Sequence, residues 1–394
     1  GGEGFGPQDT LSLDGSTGEV MVGEVPYSHP ALSGDFGVVM KWADAARVLQ
    51  VRANADTSTE AERAREFGAT GIGLTRTEHM FFGEGRIEAM QEMILADSTE
   101  ERERALGKLL PIQREDFKGI LSAMRGYPVT IRLLDPPLHE FLPRDERSQK
   151  LVAKSLGISW GRVQDRIRSH EESNPMMGHR GCRLAITYPE IAVMQVTAIT
   201  EAAIACRREN IRALPEIMIP LVGALSELSL LRGLVEETIQ EVTEREKYTG
   251  KLVIPIGTMI EVPRAAVSAG EIASEADFFS FGTNDLSQLT YGFSRDDVST
   301  FLPEYLAKGV LKEDPFHSLD QDGVGRLVIL ATAVGRKANE GLKVGICGEH
   351  GGEPKSIDFF HRIQLDYVSC SSFRVPVARL AAGQAALRER GVEE

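Results

Sequence analysis

Apolar and polar positions alternate along residues 10–25, "TLSLDGSTGEVMVGEV", around an Asp-Gly-Ser-Thr-Gly segment. That period of two predicts a short β-hairpin. The next stretch, "PYSHPALSGDFG", is rich in Pro, Gly and Ser and reads as a linker. From about residue 40 the rhythm changes, and short apolar runs alternate with stretches of helical period. The runs are "LQVRANAD" (49–56), "GIGLTRTE" (71–78), "VTIRLLD" (129–135), "RGCRLAIT" (180–187), "EIMIPLV" (216–222), "KLVIPIGTMIE" (251–261), "DFFSFGTND" (277–285) and "LKVGICGE" (342–349). Between two of them Leu228, Leu231, Val235, Ile239 and Val242 recur at helical spacing.

Strand-plus-helix units repeated about eight times predict an α/β fold, a closed (β/α)8 TIM barrel preceded by the hairpin. A further run, "LDYVSCS" (365–371), competes for a place in the barrel, so one assignment must fail; the run at 180–187 has the weakest pattern. Residues 138–178 form a long insertion after the third strand, with two short helices expected. No G-x-G-x-x-G follows the first strand, which argues against a dinucleotide-binding sheet.

Composition adds limits. The chain has 394 residues, 42% of them hydrophobic, enough for one large barrel core. Its formal net charge of −14 argues against non-specific nucleic-acid binding, but does not exclude a small anion in a cleft lined by arginine. The cysteines, Cys182, Cys206, Cys347 and Cys370, form no CxxC pair, which points to a reducing compartment, the cytoplasm. No apolar run reaches the ~18 residues of a membrane span, and no signal peptide is evident.

A barrel keeps its chemistry at the C-terminal ends of its strands. Applied as a filter, that rule selects Arg76, Arg132, the pair Arg180 and Arg183, Glu261, the run Thr283-Asn284-Asp285, and Cys347. Arginines converging on one mouth repel one another unless an anion lies between them, and guanidinium groups match phosphate and carboxylate oxygens. Two carboxylates, Glu261 and Asp285, suit Mg²⁺ bridging to a substrate anion. The expected content is a small, doubly anionic substrate with a divalent cation. Plainer readings stand beside this one. Each arginine is accounted for by a structural ion pair, Asp285 by a helix cap, the arginines of "GHRGCR" by anchoring of the insertion, and Cys347 by core packing. His79 reads as a loop support, and His29, His139, His170, His317 and His361 lack metal-type spacing.

The motifs "GIGLTRTEHMFF", "TIRLLDPPLHEFLP", "NPMMGHRGCRLAITYPEI", "IPIGTMIEVPRAA", "FFSFGTNDLSQLTYGFSRDD", "VGICGEHGG" and "VSCSSFRVPVARLAAGQAA" closely resemble the pyruvate phosphate dikinase family over roughly residues 40–390. "GTND" and "CGE" are also similar to phosphoenolpyruvate synthase and to enzyme I of the sugar phosphotransferase system. The resemblance implies a phosphoenolpyruvate/pyruvate-binding barrel at 39–394, with 1–38 the tail of a swivelling phosphohistidine domain plus linker. It implies that Arg76, Arg132 and Arg180 grip a phosphoryl group and substrate oxygens. Glu261 and Asp285 would hold Mg²⁺, Thr283 and Asn284 the carboxylate or enol side, and Arg295 the phosphoryl group; Cys347 would be the acid/base at the methylene carbon. It also implies a homodimer, a phosphohistidine domain as partner, and a plastid location if the source is a plant. The family's Thr-Ser-His carrier motif and its ATP-binding portion are absent, so the chain reads as a fragment. A Mg²⁺-dependent pyruvate-enolate lyase, or a binding and dimerisation module, remain alternatives.

Overall fold

The computed structural model describes residues 4–6, 9–14, 18–26, 34–83 and 85–391. The hairpin is present: β1 (Leu11–Leu13) pairs antiparallel with β2 (Val20–Val22). Its turn, most of the expected linker and His29 lie outside the described residues, and Gly34–Ala46 is helical. The chain divides into two compact units, Gly1–Lys41 and Trp42–Glu394.

The larger unit is a closed barrel of parallel strands: β3 (Gln50–Asn54), β4 (Ile72–Arg76), β5 (Pro128–Arg132), β6 (Leu214–Ile219), β7 (Ile256–Ile260), β8 (Phe278–Phe281), β9 (Lys343–Ile346) and β10 (Tyr367–Ser371). β10 pairs with β3 and with β9, which closes the ring. The strands read as nearly unbroken apolar runs because helices cover the outer face and side chains fill the inner one.

"LDYVSCS" is therefore the eighth barrel strand, and "RGCRLAIT" is not a strand but the helix Gly181–Thr187. Gly181 takes φ +57°, a left-handed turn that stops Arg180 from continuing as extended chain. Cys182, Leu184 and Ala185 are then buried on one helical face. With that strand removed, Glu261 follows the fifth barrel strand, Thr283 the sixth and Cys347 the seventh, one place earlier than the sequence pattern suggested. The insertion carries the expected two helices, Glu146–Leu156 and Trp160–His170. Pro111 does not end its helix, which runs Thr99–Ala123 and packs against Pro189–Arg208. That last helix is the one among the described residues long and apolar enough to cross a membrane; most of that stretch is buried inside the fold, as in a core helix.

One charged pair fills the barrel below the mouth. Arg52 on β3 donates to Glu216 on β6 at 2.7 Å, Thr130 donates to the same oxygen at 2.7 Å, and the guanidinium lies 4.0 Å from the Tyr367 ring centroid. Removing one partner leaves the other charge buried and unpaired, which costs about 3–5 kcal/mol. Glu216→Leu should lower the unfolding free energy by about that amount in urea titrations; a loss under about 1 kcal/mol would show that the pair does not hold the barrel.

Candidate active site

A cavity of about 310 Å³ opens at the C-terminal ends of β4, β5, β7, β8 and β9. Arg76, Arg132, Glu261, Asn284, Asp285, Arg295 and Cys347 all line it. Arg132, the last residue of β5, is buried and pairs with Glu78 and, at 3.1 Å, with Asp135. Arg180 comes from a helix start rather than a strand end, yet it reaches the same place. It donates to Asp135 at 2.5 Å and to Asp285 at 3.2 Å. Asp135 is thus shared between two guanidiniums. Burial raises its pKa, and Arg132 and Arg180 more than reverse this, so it stays ionised well below the ordinary range. Arg76 is one-third exposed and only 3.9 Å from Asp56, the weakest ion pair of the three.

Among the described residues Glu261 has no ion-pair partner. One carboxylate oxygen accepts from the Leu221 N–H at 2.7 Å; the other is buried with no hydrogen-bond partner. Leu221 holds φ +61°, a conformation that costs a leucine about 1 kcal/mol or more, so local strain supports this contact. Burial, with Asp285 and Asp135 nearby, pushes the Glu261 carboxyl up to about 8. Burial likewise raises Asp285, despite Arg180. The helix Thr283–Tyr291 brings Asp285 in on its first turn with Gly282 in the capping position, so Asp285 is not the helix cap. A Cβ on Gly282 would lie 2.4 Å from the unpartnered Glu261 oxygen, so bare backbone is needed there.

Among the described residues no group of three or more His, Cys, Asp or Glu side chains forms a metal cluster. The two carboxylates, one with an unpartnered buried oxygen, nevertheless fit a hard cation that takes most of its ligands from water and substrate.

Cys347 is buried at the seventh strand end, its N–H bonded to the Phe281 carbonyl at 3.2 Å and its carbonyl to Asn54 Nδ2 at 3.1 Å. Burial pushes the thiol up to about 11; the Ser280 hydroxyl beneath it, Arg132 and Arg76 pull the other way. Ser280 and the Tyr367 hydroxyl are both buried without a hydrogen-bond partner at normal distance.

The remaining predicted residues divide. Asn284 faces the cavity and accepts from the Glu349 N–H at 3.4 Å. Thr283, expected to touch substrate, is instead turned away from the cavity lining: its hydroxyl meets His350 Nδ1 at 2.7 Å, and His350 Nε2 meets the Pro315 carbonyl at 2.9 Å. A carbonyl only accepts, so Nε2 carries the imidazole hydrogen, and in the neutral ring Thr283 donates to Nδ1. Arg295 lines the mouth but is paired with Glu349. Arg183 ties down the insertion through the Met177 and Gly178 carbonyls, each at 2.8 Å, and does not line the cavity. His79 supports its loop through Asp56 at 2.6 Å. Sequence reasoning missed Glu78, Asp135 and Ser280, although Glu78 and Asp135 each close one of the apolar runs.

The match to known proteins is extensive. A family model described as the PEP-binding domain of PEP-utilising enzymes matches residues 30–387. The chain belongs to the PEP-utilising enzyme family. A chloroplastic pyruvate, phosphate dikinase of Mesembryanthemum crystallinum is 56% identical over 95% of this chain and 40% of its own length. The dikinases of Rhizobium meliloti (54% identical, 98% of this chain, 43% of theirs) and Clostridium symbiosum (53%, 99% and 44%) are similar to the same degree. The chain thus spans about two-fifths of the length of these curated relatives. A solved citrate lyase from Burkholderia xenovorans covers 73% of this chain and 74% of its own at 13% identity and a TM-score of 0.34, too distant to bear on fold or function.

For this PEP-binding domain the raised Glu261 carboxyl has a thermodynamic signature. Between about pH 4.3, the ordinary glutamate value, and pH 8 the folded state keeps a proton that the unfolded chain has lost. Stability of the metal-free protein should therefore fall as pH rises through that window, with a contribution near 1.4 kcal/mol per pH unit from this group. Glu261→Gln should remove that slope and, in carboxyl-resolved NMR titrations, the transition near pH 8. An unchanged slope and transition would mean that Glu261 ionises normally.

Proposed function

We propose that this chain carries the pyruvate/phosphoenolpyruvate half-reaction of a pyruvate, phosphate dikinase. The observation that carries the reading is the cavity joining Arg76, Arg132, Glu261, Asp285 and the Cys347 thiol, with Arg180 paired to Asp285 in its wall. The names and identities of the relatives support it. In the whole protein the reaction would convert ATP, pyruvate and phosphate to AMP, phosphoenolpyruvate and diphosphate. A phosphohistidine on a swivelling domain would carry the phosphoryl group, with residues 1–38 the tail of that domain and its linker and 39–394 the barrel. Homodimerisation through the barrel is part of the same proposal, as is a cytoplasmic location, or a plastid one in a plant.

Arg132 and Arg180 are fixed by Asp135 and so meet charge on the phosphoryl and enolate oxygens without reorganising. Arg76, loosely paired, is free to follow the moving phosphoryl group, with Arg295 at the rim. Asn284 receives the carboxylate or enol side, and Thr283 braces it from behind through His350. Glu261 and Asp285 would hold Mg²⁺, which supplies Lewis-acid charge at the enolate oxygen. Cys347, protonated at neutral pH, donates to the methylene carbon and leaves a thiolate; the reverse step returns the proton to sulfur.

Two measurements test this. Cys347→Ala should slow Mg²⁺-dependent exchange of pyruvate methyl protons into D₂O by at least about 100-fold, the usual worth of a general acid/base, while phosphoenolpyruvate affinity changes little. Undiminished exchange would remove Cys347 from the chemistry. Glu261→Gln and Asp285→Asn should each weaken Mg²⁺-dependent phosphoenolpyruvate binding by about tenfold or more, the scale of a lost charged contact; retention in both would place the metal elsewhere.

A further inference from the structure

A second, larger cavity of about 510 Å³ adjoins the first, and Arg76 and Gly348 belong to both. The wall between them is thus one loosely paired guanidinium and one residue without a side chain. The larger cavity lies over the loops that follow β9 and β10, the seventh and eighth barrel strands. Barrels of this class frequently bind phosphate at those two loops.

Its acidic side chains already have partners. Asp56 accepts from the Arg76 N–H and contacts His79, and Glu60 accepts from the Asp56 N–H at 2.7 Å. Glu349 is paired with Arg295, and Glu353 accepts from the Lys355 and Ser356 N–H groups. The donors are in the opposite state. Arg374 forms no ion pair or hydrogen bond among the described residues. Arg63 has only the Phe373 ring, 5.2 Å from its guanidinium carbon. Among the described residues the exposed Ser371 hydroxyl and His317 imidazole, which also line this cavity, form no side-chain hydrogen bond. The unmet hydrogen-bonding capacity is that of donors, and the two unpaired groups are cations.

We propose that this cavity is a second phosphoryl subsite, in which Arg63 and Arg374 hold a phosphate dianion beside Arg76 while the central cavity is filled. The ligand chemistry is a tetrahedral oxyanion with two negative charges, either free phosphate or a phosphoryl group borne on a carrier. No bond is made or broken there.

The test titrates inorganic phosphate into the protein saturated with phosphoenolpyruvate and Mg²⁺, read by calorimetry or ³¹P line broadening. Phosphate should still bind, and Arg374→Gln and Arg63→Gln should each weaken it by about tenfold, the usual scale for a hydrogen bond to a charged group. Arg374 is exposed and Arg63 half-buried with no ion pair among the described residues, so melting temperatures should change little and a loss of binding is not a loss of fold. Phosphate binding that saturating phosphoenolpyruvate abolishes, or that both variants leave intact, overturns the subsite. A second arm separates the sources. If the two variants raise the concentration of phosphorylated carrier needed for half-maximal transfer, the dianion is carrier-borne; if transfer is unchanged while phosphate binding weakens, it is free phosphate. The phosphate arm gives the same answer even if the chain catalyses no phosphoryl transfer, so its failure and that of the proposed reaction are distinguishable.

Discussion

Asp135 between Arg132 and Arg180 is the contact on which the rest of the mouth depends. Two guanidiniums buried at one strand end repel each other, and each loses hydration that must be replaced. One carboxylate cannot neutralise both. The surplus is absorbed unevenly: Glu78 takes the far side of Arg132, and Arg180 extends to Asp285. Glu261 is left with a peptide N–H and no cation. A fully matched network would be inert filler. This one holds its cations rigidly and leaves one buried carboxylate oxygen unsatisfied, which is how a preorganised electrostatic site differs from a structural cluster.

That imbalance answers the alternative readings of the single residues. Arg132 and Arg180 are in ion pairs, as the plainer reading held, but the partners are themselves part of the cavity lining or its immediate support. The two descriptions are therefore not rivals: the acids immobilise the guanidiniums, and immobile guanidiniums need no reorganisation when charge arrives. Arg183 is the contrasting case, since its bonds go to backbone carbonyls of the insertion and none to the cavity.

The barrel and most of its mouth were legible because strand period and strand-end position are local properties. The run at 180–187 misled because a short apolar segment has no decisive period: Cys182, Leu184 and Ala185 serve a helical face as well as a pleated one. Only the φ +57° turn at Gly181 decides between them, and that conformation is a tertiary outcome. The site survived the error because a long side chain crosses the gap; Arg180 reaches Asp135 and Asp285 from a helix start. Ser280 was not legible at all, and Glu78, though it closes the second run, gave no sign of its partner. Each matters through a neighbour 54 or more positions away, and no pattern in one sequence records which apolar strand interior will face a thiol. Thr283 shows the converse, a residue in a recognisable run whose hydroxyl is claimed by His350.

The protonation state of Cys347 sets a direction. Burial pushes the Cys347 thiol up to about 11, so at neutral pH it carries its proton. For it to accept a proton from a methyl group, something must favour the anion. Burial is the largest influence against the anion, an ionised Glu261 adds to it, and the Ser280 hydroxyl, Arg132 and Arg76 act the other way. With its own carboxyl pushed up to about 8, Glu261 is mostly neutral at pH 7, so in the metal-free protein burial rather than Glu261 keeps the thiol protonated.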